Sequence, residues 1–67
     1  MFDEYDVVRA KRDLTPNVPK GTRGTIVMVH DSTAGDYEVE FVDGKGEHTA
    51  LLTVNAVDME IDRSPQE

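Results

Sequence analysis

The sequence predicts an all-β fold, a single strongly bent sheet of five short strands, and three observations carry that prediction. Residues Tyr37-Glu38-Val39-Glu40-Phe41 place an apolar side chain at every second position, the period of a strand with one face in a core and one in water. Residues Arg23 to His30 are rich in β-branched types and show no helical spacing. Glycine, proline and short polar runs then punctuate the chain at close intervals, which leaves room for strands and turns but not for a helix of several turns.

Val7-Val8 open a first strand after the acidic leader Asp3-Glu4-Tyr5-Asp6 and run into Arg9-Ala10-Lys11-Arg12. Between Asp13 and Gly21, two prolines and a glycine forbid regular structure and predict a long loop. The second strand covers Arg23 to His30, and Asp31 to Asp36 is a polar turn. The third strand is the alternating segment 37–41, closed by Asp43-Gly44-Lys45-Gly46, a tight turn whose glycines can supply positive φ. His48 to Val54 reads as a fourth strand, Asn55 to Asp58 as one 3₁₀ turn, and Met59-Glu60-Ile61 as a brief fifth strand. Residues 1–62 form one domain on this reading, with 63–67 as a loose tail.

That order is the order of a small SH3-like barrel, with a long first loop and a 3₁₀ turn before the last strand. The expected core is Val7, Leu14, Ile26, Val27, Val29, Tyr37, Val39, Phe41, Leu51, Leu52, Val57 and Met59. Met28, Val8 and Val42 are expected on the outer face, and Gly24 at a bend or close backbone approach.

Composition narrows function by exclusion. The 67 residues include no cysteine and no tryptophan, so disulfides, thiolate metal sites and thiol nucleophiles are excluded. An acidic start without an apolar segment behind it does not read as a signal peptide, and no apolar run approaches a membrane span. A cytoplasmic protein is expected. The net charge of -7 is unevenly distributed: Arg9, Lys11, Arg12, Lys20 and Arg23 face only Asp13 within residues 9–23, whereas residues from Asp31 onward carry ten acids against Lys45 and Arg63.

Ser32 lies in a turn and Ser64 in the tail, so neither has an orienting neighbourhood, and Glu38 and Glu40 read as a solvated strand face. No catalytic residue is assigned. Neither the 31–36 nor the 43–48 segment has calcium-loop spacing, and His30–Asp31 and Glu47–His48 are adjacent on strands and face opposite ways, so no metal or cofactor is expected. The four aromatics, Phe2, Tyr5, Tyr37 and Phe41, are too few for a proline-peptide ridge or a methyl-lysine cage. The basic stretch has no interleaved aromatics for base stacking, and an acidic chain repels phosphate, which sets nucleic acid behind protein as a partner.

The segments Tyr5-Asp6-Val7-Val8, Gly21-Thr22-Arg23-Gly24-Thr25-Ile26-Val27, Tyr37-Glu38-Val39-Glu40-Phe41 and Ala50-Leu51-Leu52-Thr53-Val54 resemble, over residues 5 to 61, a family of small bacterial proteins catalogued as a domain of unknown function. The Gly-x-x-Gly-Thr start followed by Tyr-x-Val-x-Phe is similar to the SH3-like barrel closing the β subunit of nitrile hydratases, and the Gly-x-x-Gly start to KOW-type modules. The resemblance implies the fold and brings no catalytic residues.

The expectation is therefore a non-catalytic SH3-like interaction or accessory module that binds another protein or a second copy of itself. Arg9, Lys11, Arg12, Lys20, Arg23 and Met28 are its candidate contact residues. The alternative is a KOW-like nucleic-acid-binding module using the same basic loop. The plainer reading of the basic residues is internal: they neutralise Glu38, Glu40 and the acidic C-terminal half.

Overall fold

The computed structural model describes residues 2–31, 34–46 and 49–63. It contains β1 (Val7–Ala10), β2 (Arg23–Asp31), β3 (Asp36–Val42), β4 (Thr49–Asn55), a 3₁₀ turn (Ala56–Asp58) and β5 (Met59–Ile61). All five strands join one antiparallel sheet in the order β4-β3-β2-β1-β5. The first four form a meander, and β5 returns to lie beside β1, so the all-β class, the long first loop and the 3₁₀ turn stand where the sequence puts them. Ser32, Thr33, Glu47, His48 and the tail beyond Arg63 lie outside the described residues.

The inner face is built in cross-strand rows. Ile61, Val8, Gly24, Phe41 and Ala50 stand in register across all five strands, and Ile26, Val39 and Leu52 form the next row. Gly24 is required there. A Cβ on it would lie 2.7 Å from Phe41 Cδ1 and 2.9 Å from the Glu40 carbonyl oxygen, so the aromatic ring occupies the space a side chain would need.

Two irregularities in β2 set its faces. The register steps from Ile26↔Val39 to Met28↔Glu38, which leaves Val27 as an extra residue, and it slips again between Val29 and Asp31. The first bulge turns Met28 outward beside Glu38, although strict alternation from buried Ile26 would have turned it inward.

Two turn-and-bulge units tie the chain to this frame. Gly21 N–H donates to the Ala10 carbonyl, Ala10 N–H donates to Thr22, and Thr22 N–H closes a turn on Pro19. Gly21 has φ +92°, the left-handed value that such a glycine bulge demands. The same pattern recurs at the N-terminus, where Tyr5 N–H donates to Ile26, Ile26 N–H to Asp6, and Asp6 N–H to Asp3. There the left-handed position, φ +73°, is held by Tyr5.

The buried set is Val8, Ala10, Val18, Ile26, Tyr37, Val39, Phe41, Val54 and Met59, with Phe2, Leu14 and Leu52 among those packed against it. Five expected core residues belong to that set, and the differences have local causes. Val8 is fully buried, not outward, because pairing with Gly24 and Ile61 puts it on the inner face and leaves Val7 half-buried. Leu51 is 61% exposed, since adjacent Leu51 and Leu52 must face opposite ways on one strand. Val57, on the 3₁₀ turn, is 73% exposed; Val29, at the far end of β2, is also exposed, and bulged Val27 is half-buried. Val18 enters the core from the first loop, where Thr15 and Val18 exchange backbone hydrogen bonds across the Pro16-Asn17 turn.

Asn55 ties the β2–β3 turn to the end of β4. Its Oδ1 accepts from Val57 N–H at 3.1 Å and caps the 3₁₀ turn, while its Nδ2 donates to the Ala34 carbonyl and to Asp36. Ala56 N–H donates to Gly35, completing the seam.

Candidate functional site

The base of the first loop gathers most of the basic residues. Arg9 on β1 stands directly opposite Arg23 on β2, an unfavourable pairing of like charges. Asp62, just past β5, resolves it: its side chain is 3% exposed, and it accepts from Arg9 Nη1 at 3.4 Å and from Arg23 Nε. On its other side Arg9 pairs with its register partner Glu60 at 2.8 Å, and this hydrogen bond raises the arginine pKa further.

Arg12 is held separately. Its Nε and Nη2 donate to both carboxylate oxygens of Asp58, at 2.8 and 3.1 Å. The bond from Arg12 holds the Asp58 carboxyl below its ordinary value of 3.8, with the charges of Arg12 and Lys11 acting in the same direction. The three arginines thus serve the C-terminal acids Asp58, Glu60 and Asp62, as the internal reading of the basic residues supposes. Glu38, also named in that reading, is engaged differently: it accepts from Thr53 Oγ1 and lies 2.8 Å from His30 Nε2.

Lys11 and Lys20 are placed otherwise. Both are exposed, and both line one shallow groove of about 330 Å³ together with Arg9, Ala10, Gly21 and Glu60. Neither ammonium group makes an ion pair among the described residues. Their backbones are fixed: Lys20 N–H donates to Asp13 Oδ1 at 2.7 Å, and Lys11 N–H donates to the Asp58 carbonyl. A larger open groove of about 630 Å³ continues from Lys20 past Arg9 and Arg23 toward Val42 and Asp43.

Met28 does not join this group. It is 53% exposed on the outer face, in register with Glu38 and five residues along β2 from Arg23, about 17 Å away at the strand rise. The six candidate contact residues therefore divide into three paired arginines, two lysines on a common groove, and a separate methionine.

Sequence reasoning missed Asp58, Glu60 and Asp62 as individual partners. The signal available was charge bookkeeping between the first loop and the last strand, which could supply sign but not register. Among the described residues, no three histidine or carboxylate side chains come together as a metal-binding group. No helix among them is long and apolar enough to cross a membrane.

No curated protein and no solved structure matches the chain. A family model does match, over residues 4–61, which takes in every strand, the Gly21 turn-and-bulge unit and the Arg12–Asp58 contact. The chain belongs to the DUF4926 family, a domain of unknown function.

Proposed function

We propose that this protein is a non-catalytic accessory module that binds an acidic segment of another protein at the Lys11–Lys20 groove. The observation that carries the reading is a contrast within one small region. Arg9, Arg12 and Arg23 are each compensated by a carboxylate, while Lys11 and Lys20 share a groove and have none at ion-pair distance among the described residues. Two like charges on one groove, where the Glu60 carboxylate is already tied to Arg9, favour a further acidic group, and a partner can supply it. The relation to SH3-like modules, KOW-type modules included, is on this reading one of architecture, supported by the strand order. Cytoplasmic residence and bacterial origin belong to the same proposal.

The test is affinity capture from a native lysate with the unmodified chain and with Lys11→Glu/Lys20→Glu, each at 50 and 300 mM NaCl. The expected result is a partner retained at low salt and lost with the charge-reversed chain, because the contact is electrostatic. Equal capture by both chains would remove the groove as the interface. Mixed oligonucleotides at low salt are expected not to bind; a complex with them, abolished by the same substitutions, would replace the protein reading with a nucleic-acid one.

A further inference from the structure

The two edges of the sheet are built in opposite ways. On the β5 side the edge is three residues long and carries Glu60, whose carboxylate is tied to Arg9. A short, charged edge is a common protection against unwanted strand pairing. The β4 edge has none of these devices. It is seven residues long, about 24 Å at the strand rise. Its pairing with β3 runs unbroken from Thr49 to Asn55 without a bulge. Its sequence, Thr-Ala-Leu-Leu-Thr-Val-Asn, holds no charge, no proline and no glycine. Every other strand carries at least one charged residue, in a chain where 31% of residues are charged. Leu51, beside the middle of the edge, is 61% exposed.

We infer that β4 is the pairing strand for a second copy of this chain, joined antiparallel about a twofold axis at Leu52. Charge selects this occupant. A neutral strand gives a basic or acidic segment nothing to pair with, whereas a copy of β4 is neutral along its whole length. The geometry is self-complementary, as a twofold contact requires. With Leu52 opposite its own copy, Leu51 meets Thr53, Ala50 meets Val54 and Thr49 meets Asn55, each pair on one face of the continuous sheet. The half-buried Leu52 and buried Val54 extend the inner face across the junction, and no like charges are brought opposite one another. A single strand pair is a small interface, so monomer and dimer exchange with concentration. Each copy carries a net charge of -7, so the long-range repulsion between copies is relieved by salt. The inference stands apart from the Lys11–Lys20 groove, which is built on the first loop and β1 rather than on β4.

Sedimentation velocity from 10 μM to 1 mM, at 50 and 500 mM NaCl, tests it. The expected result is a reversible dimer whose dissociation constant falls severalfold at the higher salt. Leu51→Lys is expected to remain monomeric throughout, because a charged edge resists pairing and the two substituted positions lie diagonally across the axis. Leu51→Glu alone is expected to do the same, and an equimolar mixture of the two to recover the dimer as a heterodimer. That recovery shows that both variants are folded. A chain that stays monomeric to 1 mM overturns the inference. So does a Leu51→Lys chain that dimerises like the original, which would place the contact elsewhere. Either result leaves the lysine groove to be judged by its own capture experiment.

Discussion

At the scale of single residues, two glycines separate two kinds of requirement. Gly21 is needed for its backbone angle alone: at φ +92° a Cβ would meet nothing within 4 Å. Gly24 is needed for space, with Phe41, Val39 and the Glu40 carbonyl already in the place of its Cβ. Gly21→Ala should therefore cost about 1 kcal/mol, the ordinary penalty of an L residue in the left-handed region. A D-alanine at the same position in a synthetic chain should restore the loss. Gly24→Ala should cost more, about 2–3 kcal/mol, since a ring and a backbone oxygen must move. Urea unfolding of the three chains checks both figures, and equal costs at the two sites would contradict the distinction. Neither requirement is local in origin. The Gly-x-x-Gly spacing is visible in the sequence, but the reasons for its two glycines lie in β1 and β3.

At the scale of elements, the Arg12–Asp58 contact is the tie between the first loop and the 3₁₀ turn, reinforced by the hydrogen bond from Lys11 N–H to the Asp58 carbonyl. Because the folded Asp58 carboxyl lies below its unfolded value of 3.8, the unfolded chain binds more protons as the pH falls. The stabilisation from this group is complete above that value and is lost as pH drops through the folded one. Removing the cation with Arg12→Gln should lower the urea midpoint at pH 7. The gap between the two chains should then close on going from about pH 4 to pH 2, within the range where carboxyl groups titrate. A gap that stays constant over that interval would mean that Arg12 acts through packing of its stem rather than through Asp58. The existence and order of the elements were readable from the chain, and β5 was placed to the residue, because strand period and turn chemistry are local properties. Which way each strand faces was less readable where two apolar residues adjoin. Val7-Val8 and Leu51-Leu52 each allow two assignments, and only pairing with Gly24 and Val39 chooses between them.

At the scale of the whole molecule, the balance lies between a small core and a surplus of acid. The Cα radius of gyration is 10.9 Å, close to the screening length of about 8 Å at physiological salt, so charges across the molecule repel one another appreciably in dilute buffer. The Arg9–Glu60 and Arg12–Asp58 pairs are surface contacts worth little individually, and salt weakens them only modestly. Relief of self-repulsion is the larger effect. Raising NaCl from about 20 to 500 mM is therefore expected to stabilise the chain by about 1 kcal/mol, an increase of about 4–8 °C in Tm for a domain of this size. Calorimetry at low protein concentration, where the chain is monomeric, checks the sign. A falling Tm would show that the Asp62 and Asp58 contacts outweigh the repulsion.

Period, turn chemistry and residue counts are enough to establish the fold class, the order of the five strands along the chain, the turn positions and the two-signed distribution of charge. Which carboxylate each arginine meets, that Lys11 and Lys20 have none among the described residues, and that the uncharged strand is an edge emerge from the folded chain alone. Those facts depend on register between segments as many as 53 residues apart, such as Arg9 and Asp62, and a register over that distance is fixed by packing rather than by any local preference.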